Sequence, residues 1–200
     1  MFLSRLALNF RHAQARKDLA NPYEMHRTLK RACSEGSHPL YRVEDNSLLV
    51  QTAEQPNWDQ LLDGYLAREA EFRPLQLGPW NDLPVRFRLR ANPCVTHRVG
   101  QREDGKRKVK RFPIKGIVEQ LDWLSKQGER CGFKLLGAMV SQSGDLRIVK
   151  GDSGPLRVHQ ATFDGHLRVV APDLFGKAVR DVVGHGKSWG LGLMSVSLGS

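Results

Sequence analysis

Cysteine is scarce and scattered: Cys33, Cys94 and Cys131 are the only three in 200 residues, and no two form a CxxC pair. An odd, dispersed set argues against a disulfide framework or a zinc site, which leaves packing as their role and a reducing cytoplasm as the natural compartment. Long apolar runs are missing; nothing approaches the roughly 20 residues a membrane helix needs. Met1 to Phe10 is short, interrupted by Arg5, and has neither h-region nor cleavage site, so no signal peptide is expected. His12, His38, His97, His159, His166 and His185 show no HxxxH or HExxH spacing, and no Asp/Glu cluster resembles a two-metal nuclease centre. No metal site is expected. No Ser-His-Asp arrangement can be argued. His159 and His166 read as surface or strand residues flanking a hairpin turn.

Positive charge is what the chain has in excess, a net +10 from 31 Lys+Arg against 21 Asp+Glu. The excess is lopsided. Residues 1–92 carry 13 basic and 11 acidic side chains, and residues 93–200 carry 18 and 10. A surplus of this size concentrated in one half points to a polyanion partner, most often nucleic acid.

Local pattern supplies the elements. Phe2–Asn9 alternates as a strand, and Arg11–Leu19 is a short polar helical stretch. Asn21-Pro22-Tyr23-Glu24 reads as a helix start: Asn21 at the N-cap, Pro22 at N1 where its missing N–H costs nothing, Glu24 at N3. That helix runs to about Cys33 and stops near Gly36. Leu40–Glu44 and Ser47–Thr52 form a hairpin through Asp45-Asn46. Trp58, Leu61, Leu62, Tyr65 and Leu66 recur at helical spacing, predicting an amphipathic helix over 57–70. A connector with Pro and Gly covers 74–84, and Val85–Ala91 alternates strictly as a strand. The order β-α-β-β-α-β is the split-βαβ, ferredoxin-like unit. The second half repeats it: a strand at Arg107–Pro113, a helix from Ile114 to near Gly132, strands at 133–140, 146–149, 156–163 and 167–171 with a turn at Asp164-Gly165, a helix over 174–183 and a last strand at 193–198. The expected fold is α+β, two ferredoxin-like (RRM-like) domains in tandem, 1–92 and 93–200, meeting near Asn92-Pro93.

Three groups of residues could carry chemistry. Tyr23 and His26, at i and i+3, share a face in the first turns of a helix, where free N–H groups and the dipole favour a phosphate and a neutral imidazole. A histidine and a tyrosine beside a phosphate suit RNA self-cleavage, and Arg27, Lys30 and Arg31 follow on the same helix. On spacing alone, a partly exposed structural histidine is the plainer reading. Gly184-His185-Gly186-Lys187-Ser188-Trp189-Gly190-Leu191-Gly192 lets backbone approach a ligand closely, and successive N–H groups with Lys187 could cradle phosphates. It is no Walker A loop, and a tight helix-to-strand connection is the other reading. Arg98–Arg111 holds Arg98, Arg102, Lys106, Arg107, Lys108, Lys110 and Arg111 against Glu103 and Asp104, with its tip at Asp104-Gly105: a mobile basic loop for RNA phosphates, or a solvated face.

The run Asp18–Leu29 together with Val183–Val196 resembles the CasE family, the CRISPR RNA-processing endoribonucleases of the type I-E Cascade complex. Phe2–Asn9, Tyr41–Thr52 and Phe87–Pro93 are similar to that family's strands. The resemblance implies tandem ferredoxin-like domains and metal-independent cleavage of precursor CRISPR RNA at the base of the repeat stem-loop. The products would carry a 2′,3′-cyclic phosphate, and the hairpin would be retained within Cascade. It implies no cofactor, no membrane and no DNA contact for cleavage; the partners are the repeat stem-loop and other Cascade subunits. By resemblance His26 is the catalytic histidine, Tyr23 its neighbouring tyrosine, Gly184 to Gly192 the glycine-rich loop and Lys187 its lysine. His185 and Trp189 depart from the family's smaller residues. Arg147, Lys150 and Arg157, with Arg98 to Arg111, are expected at the RNA groove and phosphates. A tandem RRM-like module that binds RNA without cutting it is the competing class, although neither half shows an RNP-type aromatic run.

Overall fold

The computed structural model describes residues 1–45, 47–80, 83–101, 107–151 and 153–198. It contains two four-stranded antiparallel sheets and one separate hairpin. The first sheet has the order β2-β3-β1-β4, built from β1 (Phe2–Ala7), β2 (Leu40–Val43), β3 (Ser47–Thr52) and β4 (Glu71–Pro74). The helices α1 (Ala13–Ala20) and α2 (Pro22–Arg31) connect β1 to β2. On β1, Ser4, Leu6 and Leu8 point inward at period two and meet Met25 and Leu29 of α2, Tyr41, Leu48, Val50, Trp58 and Tyr65 in one core.

The second sheet has the order β10-β5-β9-β8. Its strands are β5 (Val85–Ala91), β8 (Phe133–Lys150), β9 (Ser153–Val169) and β10 (Met194–Leu198). Two helices, α3 (Ile117–Cys131) and α4 (Pro172–Arg180), close its core with Phe87, Leu89, Trp123, Phe163 and Phe175. Gly132 ends α3 in the left-handed region at φ +74°, the usual helix C-terminal device. Each sheet therefore places its strands in the ferredoxin-like order, fourth-first-third-second, and the chain is two such units in tandem. A hairpin of β6 (Cys94–Gln101) and β7 (Arg107–Pro113) is inserted between β5 and α3.

Four sequence expectations are corrected. The helix over 57–70 is one 3-10 turn, Trp58–Gln60, followed by irregular chain. Trp58 from that turn and Tyr65 from the irregular chain after it fill the core, held by Trp58 Nε1 donating to Ser4 Oγ (3.1 Å) and the Tyr65 hydroxyl donating to Asp18 Oδ2 (2.8 Å). Gly64 at φ +72° rules out a helix there. Second, Val85–Ala91 belongs to the second sheet, paired with β9 and β10. β4 closes the first sheet instead, so the sheets divide within 75–84 and not at Asn92-Pro93. Third, Arg107–Pro113 is a hairpin arm outside the main sheet, and Arg98–Arg111 is mostly strand, not loop; its tip, Asp104-Gly105, lies outside the described residues. Fourth, Asp164-Gly165 sits inside β9, opposite Met139 and Ala138. Gly165 serves close packing: a Cβ there would lie 2.2 Å from the Gly137 carbonyl oxygen.

Side chains bridge the units. Arg42, 3% exposed, donates to the Arg88 (3.0 Å) and Leu193 (3.2 Å) carbonyls and to Ser195 Oγ (2.8 Å), while paired with Glu44 at 2.6 Å. Gln51 Nε2 donates to the carbonyls of Val179 (3.0 Å) and Arg180 (2.8 Å) at the end of α4.

Candidate active site

The start of α2 forms as its sequence requires. Asn21 is extended, its side chain accepts from Tyr23 N–H at 3.3 Å, and Pro22 occupies the first helical position. Met25, Thr28 and Leu29 are buried on one side of the helix, and Tyr23 and His26 come up half-buried on another. That second face lies against the other unit. Tyr23 packs on a small apolar cluster of Ile148 from β8, Val158 from β9 and Leu191, with Trp189 and Leu146. Tyr41 from β2 ties the same place together, its hydroxyl donating to the Pro22 carbonyl at 2.8 Å and lying 3.5 Å from that of Ser188.

The glycine-rich segment folds over α2 as a 3-10 turn, Lys187–Trp189, flanked by Gly186 (φ +97°) and Gly190 (φ +74°). A Cβ on Gly190 would lie 2.7 Å from the Tyr41 ring, so this glycine supplies both a left-handed backbone and the room for close approach. The loop is thus a tight helix-to-strand connection that also brings Lys187 towards His26.

Electrostatics around His26 favour the neutral ring. Burial first, then the charges of Lys30, His38 and Lys187, hold its imidazole below the usual histidine value of 6.5. Its Nδ1 is buried without a hydrogen-bond partner among the described residues. The Tyr23 ring carries the Arg27 guanidinium at 5.9 Å and the Lys150 ammonium at 5.8 Å from its centroid, both at cation–π distance. Arg27 also pairs with Glu24 at 3.2 Å.

The structure therefore brings together Tyr23, His26, Arg27, Lys30, Lys150 and Lys187, with Gly186 opening the turn that carries Lys187, whereas Gly184 lies against Trp123 of the second unit's core. Arg31 is exposed at the end of α2. Arg147 and Arg157 face each other across β8 and β9, both exposed, three residues or so beyond Lys150 towards the sheet. Arg98 and Lys108 are exposed on the inserted hairpin, and Arg107 starts its second strand. Arg102 and Lys106 lie outside the described residues. His185 of the glycine-rich loop has its pKa lowered by burial first and then by the charge of Arg111, which lies near the base of that hairpin. His38 and Tyr41 belong to the site and went unread: His38 has no motif around it, and Tyr41 looked like ordinary strand.

His159 is a strand residue, as one of the two expectations has it, within β9, and it is buried, 7% exposed, rather than on the surface. Its Nδ1 lies 2.8 Å from Asp145 Oδ1, and its Nε2 lies 3.1 Å from Gln120 Nε2 and 3.2 Å from Ser143 Oγ. The Gln120 amide reaches the Ile114 carbonyl as well (3.0 Å), so this cluster ties α3 to β8 and β9. Among the described residues no group of three or more His, Cys, Asp or Glu is placed to hold a metal ion.

Fold and site together define a two-unit ferredoxin-like protein with a tyrosine–histidine pair at the junction of its units, surrounded by cations. The family model for CRISPR associated proteins matches residues 1–197. A CRISPR-associated endoribonuclease Cse3 of Thermus thermophilus is 36% identical, the match covering 98% of this chain and 100% of that protein. The Cascade subunit CasE of Escherichia coli strain K12 is 28% identical over 91% of this chain and 84% of its own length. A solved structure of the Thermus thermophilus Cse3 bound to an RNA representing a pre-cleavage complex superposes with a TM-score of 0.81 at 35% identity, covering 98% of both chains. The chain belongs to the CRISPR-associated protein family of Cse3 and CasE endoribonucleases.

Proposed function

We infer that this protein is the endoribonuclease that cuts precursor CRISPR RNA at the base of each repeat stem-loop and retains the hairpin within a Cascade complex. The observation that carries the reading is His26: a half-buried imidazole in the middle of α2, one turn past Tyr23, favoured as the neutral ring by burial and by the charges of Lys30, His38 and Lys187. The neutral ring takes the proton of the attacking 2′-hydroxyl. The 2′-oxygen bonds to phosphorus, the bond to the 5′-oxygen breaks, that oxygen takes a proton from water, and the products are a 2′,3′-cyclic phosphate and a 5′-hydroxyl, His26 returning its proton to solvent. Lys187, Lys30 and the N-terminal end of α2 face the charge that grows on the phosphorane. Tyr23, packed below and flanked by Arg27 and Lys150, orients the phosphate. The exposed cations Arg31, Arg98, Lys108, Lys110, Arg111, Arg147 and Arg157 grip the stem, and Arg102, Lys106 and Arg107 add their charge to that attraction. A-form RNA hides its base edges in a deep, narrow groove, so phosphate and shape contacts dominate that grip. The reaction needs neither metal nor DNA, and its place is the cytoplasm, where free Cys33, Cys94 and Cys131 stay reduced.

The test uses labelled repeat stem-loop RNA in EDTA beside a copy with a single 2′-deoxy nucleotide before the cut. One cut in the first, none in the second and a cyclic phosphate end are expected. Cleavage of the deoxy substrate, or activity that EDTA abolishes, overturns the mechanism. Tight binding without a cut in either lane identifies the non-catalytic RNA-binding module instead.

A further inference from the structure

The structure assigns a positioning role to Asn21, which holds the helix carrying Tyr23 and His26 in register with the strand carrying Lys150. This rests on the reading of His26 as catalytic. Asn21 is a pivot. Its backbone N–H closes α1 on the Lys17 and Asp18 carbonyls, both at 3.2 Å, and its side chain opens α2 by accepting from Tyr23 N–H at 3.3 Å. The same side chain then leaves its own unit. Its Nδ2 donates to the Val149 carbonyl at 2.8 Å, and its Oδ1 accepts from Val149 N–H at 3.2 Å.

Val149 is prepared for this contact. It lies on β8, an edge strand of the second sheet. It also falls in a register break: Ile148 pairs with Leu156 and Lys150 with Ser153, and among the described residues Val149 pairs with none on β9. An edge strand presents an open row of N–H and C=O groups. The Asn21 amide occupies the place a neighbouring peptide group would take there, donor to acceptor and acceptor to donor. The result is a two-point clamp that fixes both separation and angle between the start of α2 and Lys150, the next residue along β8. Lys150 in turn lies over the Tyr23 ring, so the clamp spans the site it positions.

Asparagine alone meets all three demands. Serine caps the helix but lacks the reach and the second group. Aspartate caps it but turns oxygen against the Val149 carbonyl and adds a negative charge beside the RNA. Glutamine is a methylene longer and a poor cap. The link matters because misplacing reacting groups by about 1 Å can cost on the order of 100-fold in rate.

The test is Asn21→Ser, which preserves the cap and the neutral charge, in single-turnover cleavage of the repeat stem-loop at saturating protein. Rate should fall about 10- to 100-fold, while hairpin affinity stays within about two-fold, because the stem-gripping cations are intact, and Tm falls by only several degrees, the share of the two hydrogen bonds to Val149 with the cap retained. Asn21→Ala, which also loses the cap, should lower Tm further and add little to the rate loss. In a His26→Ala background Asn21→Ser should change the rate no further, since a positioning residue has nothing left to position. A cleavage rate within about two-fold of the parent overturns the role, as does a rate loss matched by an equal loss of affinity. If His26→Ala itself cleaves at the parental rate, the functional reading fails whatever Asn21 does. If His26→Ala is dead and Asn21→Ser is fully active, only the positioning role fails.

Discussion

Replacing Gly190 with alanine should destabilise the protein and misplace the helix that carries His26, for two separable reasons. Gly190 sits at φ +74°, and a non-glycine residue held in the left-handed region costs about 1–2 kcal/mol. The added methyl would also lie 2.7 Å from Tyr41 Cε2 and 3.2 Å from Cδ2 and Cζ. Tyr41 is 1% exposed and anchored by its hydroxyl to the Pro22 carbonyl, so it has little room to yield. Overpacking of this kind costs about 1–3 kcal/mol, giving a total of roughly 2–5 kcal/mol. At about 2–4 °C per kcal/mol for a domain of this size, Tm should fall on the order of 10 °C. Gly36, at φ +79° with open space around its Cβ position, supplies the control: alanine there carries only the backbone share. Thermal unfolding of both variants separates the two terms. Single-turnover cleavage well below either Tm should show Gly190→Ala slowed and Gly36→Ala less affected, because only the former pushes on Tyr41 and through it on Pro22. A Gly190→Ala protein melting with the parent, or no lower than Gly36→Ala, refutes the packing argument.

The pH dependence follows from the lowered His26 pKa. With His26 as base, the cleavage rate should rise with pH to a midpoint below 6.5 and then level off, and Lys187→Gln, which removes a nearby cation, should move that midpoint upward; a rate that falls above neutrality would assign His26 the acid's part instead. Between the lowered pKa and 6.5 the unfolded chain holds more of this proton than the folded one, so His26 withdraws stability as pH falls through that window, and His26→Ala should flatten this part of a urea-midpoint profile. Arg42→Ala removes a buried cation serving two carbonyls, a serine and Glu44 across the units, and should cost about 3–5 kcal/mol, read as a lower urea midpoint. Hairpin affinity should drop steeply with salt, and Lys108→Ala with Lys110→Ala should lower the slope of log K against log salt by about one each while leaving the saturated cleavage rate unchanged.

How much of this was legible depended on how local the cause is. The α2 start was readable because Asn21, Pro22 and Glu24 each act within one turn. Val85–Ala91 was readable as a strand, since Val85, Phe87, Leu89 and Ala91 alternate inward, but alternation says nothing of which sheet receives it. β4 left no signal because all four of its residues are exposed. Trp58 and Tyr65 imitated a helix face while filling the core from a 3-10 turn and the irregular chain after it; Leu62, 54% exposed, belongs to no such face. At the site, Tyr23, His26 and Lys187 were found from motif and resemblance. The second role of Asn21 was not, because Val149 lies 128 residues away and only the folded chain brings it near.

The central claim is that His26 performs a proton transfer and does not hold RNA. The most direct measurement is single-turnover cleavage by His26→Ala at saturating protein, with hairpin affinity measured alongside. The rate should fall on the order of 10²–10⁴-fold with affinity within about two-fold of the parent, because the exposed cations that grip the stem are untouched. Cleavage at the parental rate, or a loss of rate explained wholly by lost binding, contradicts it.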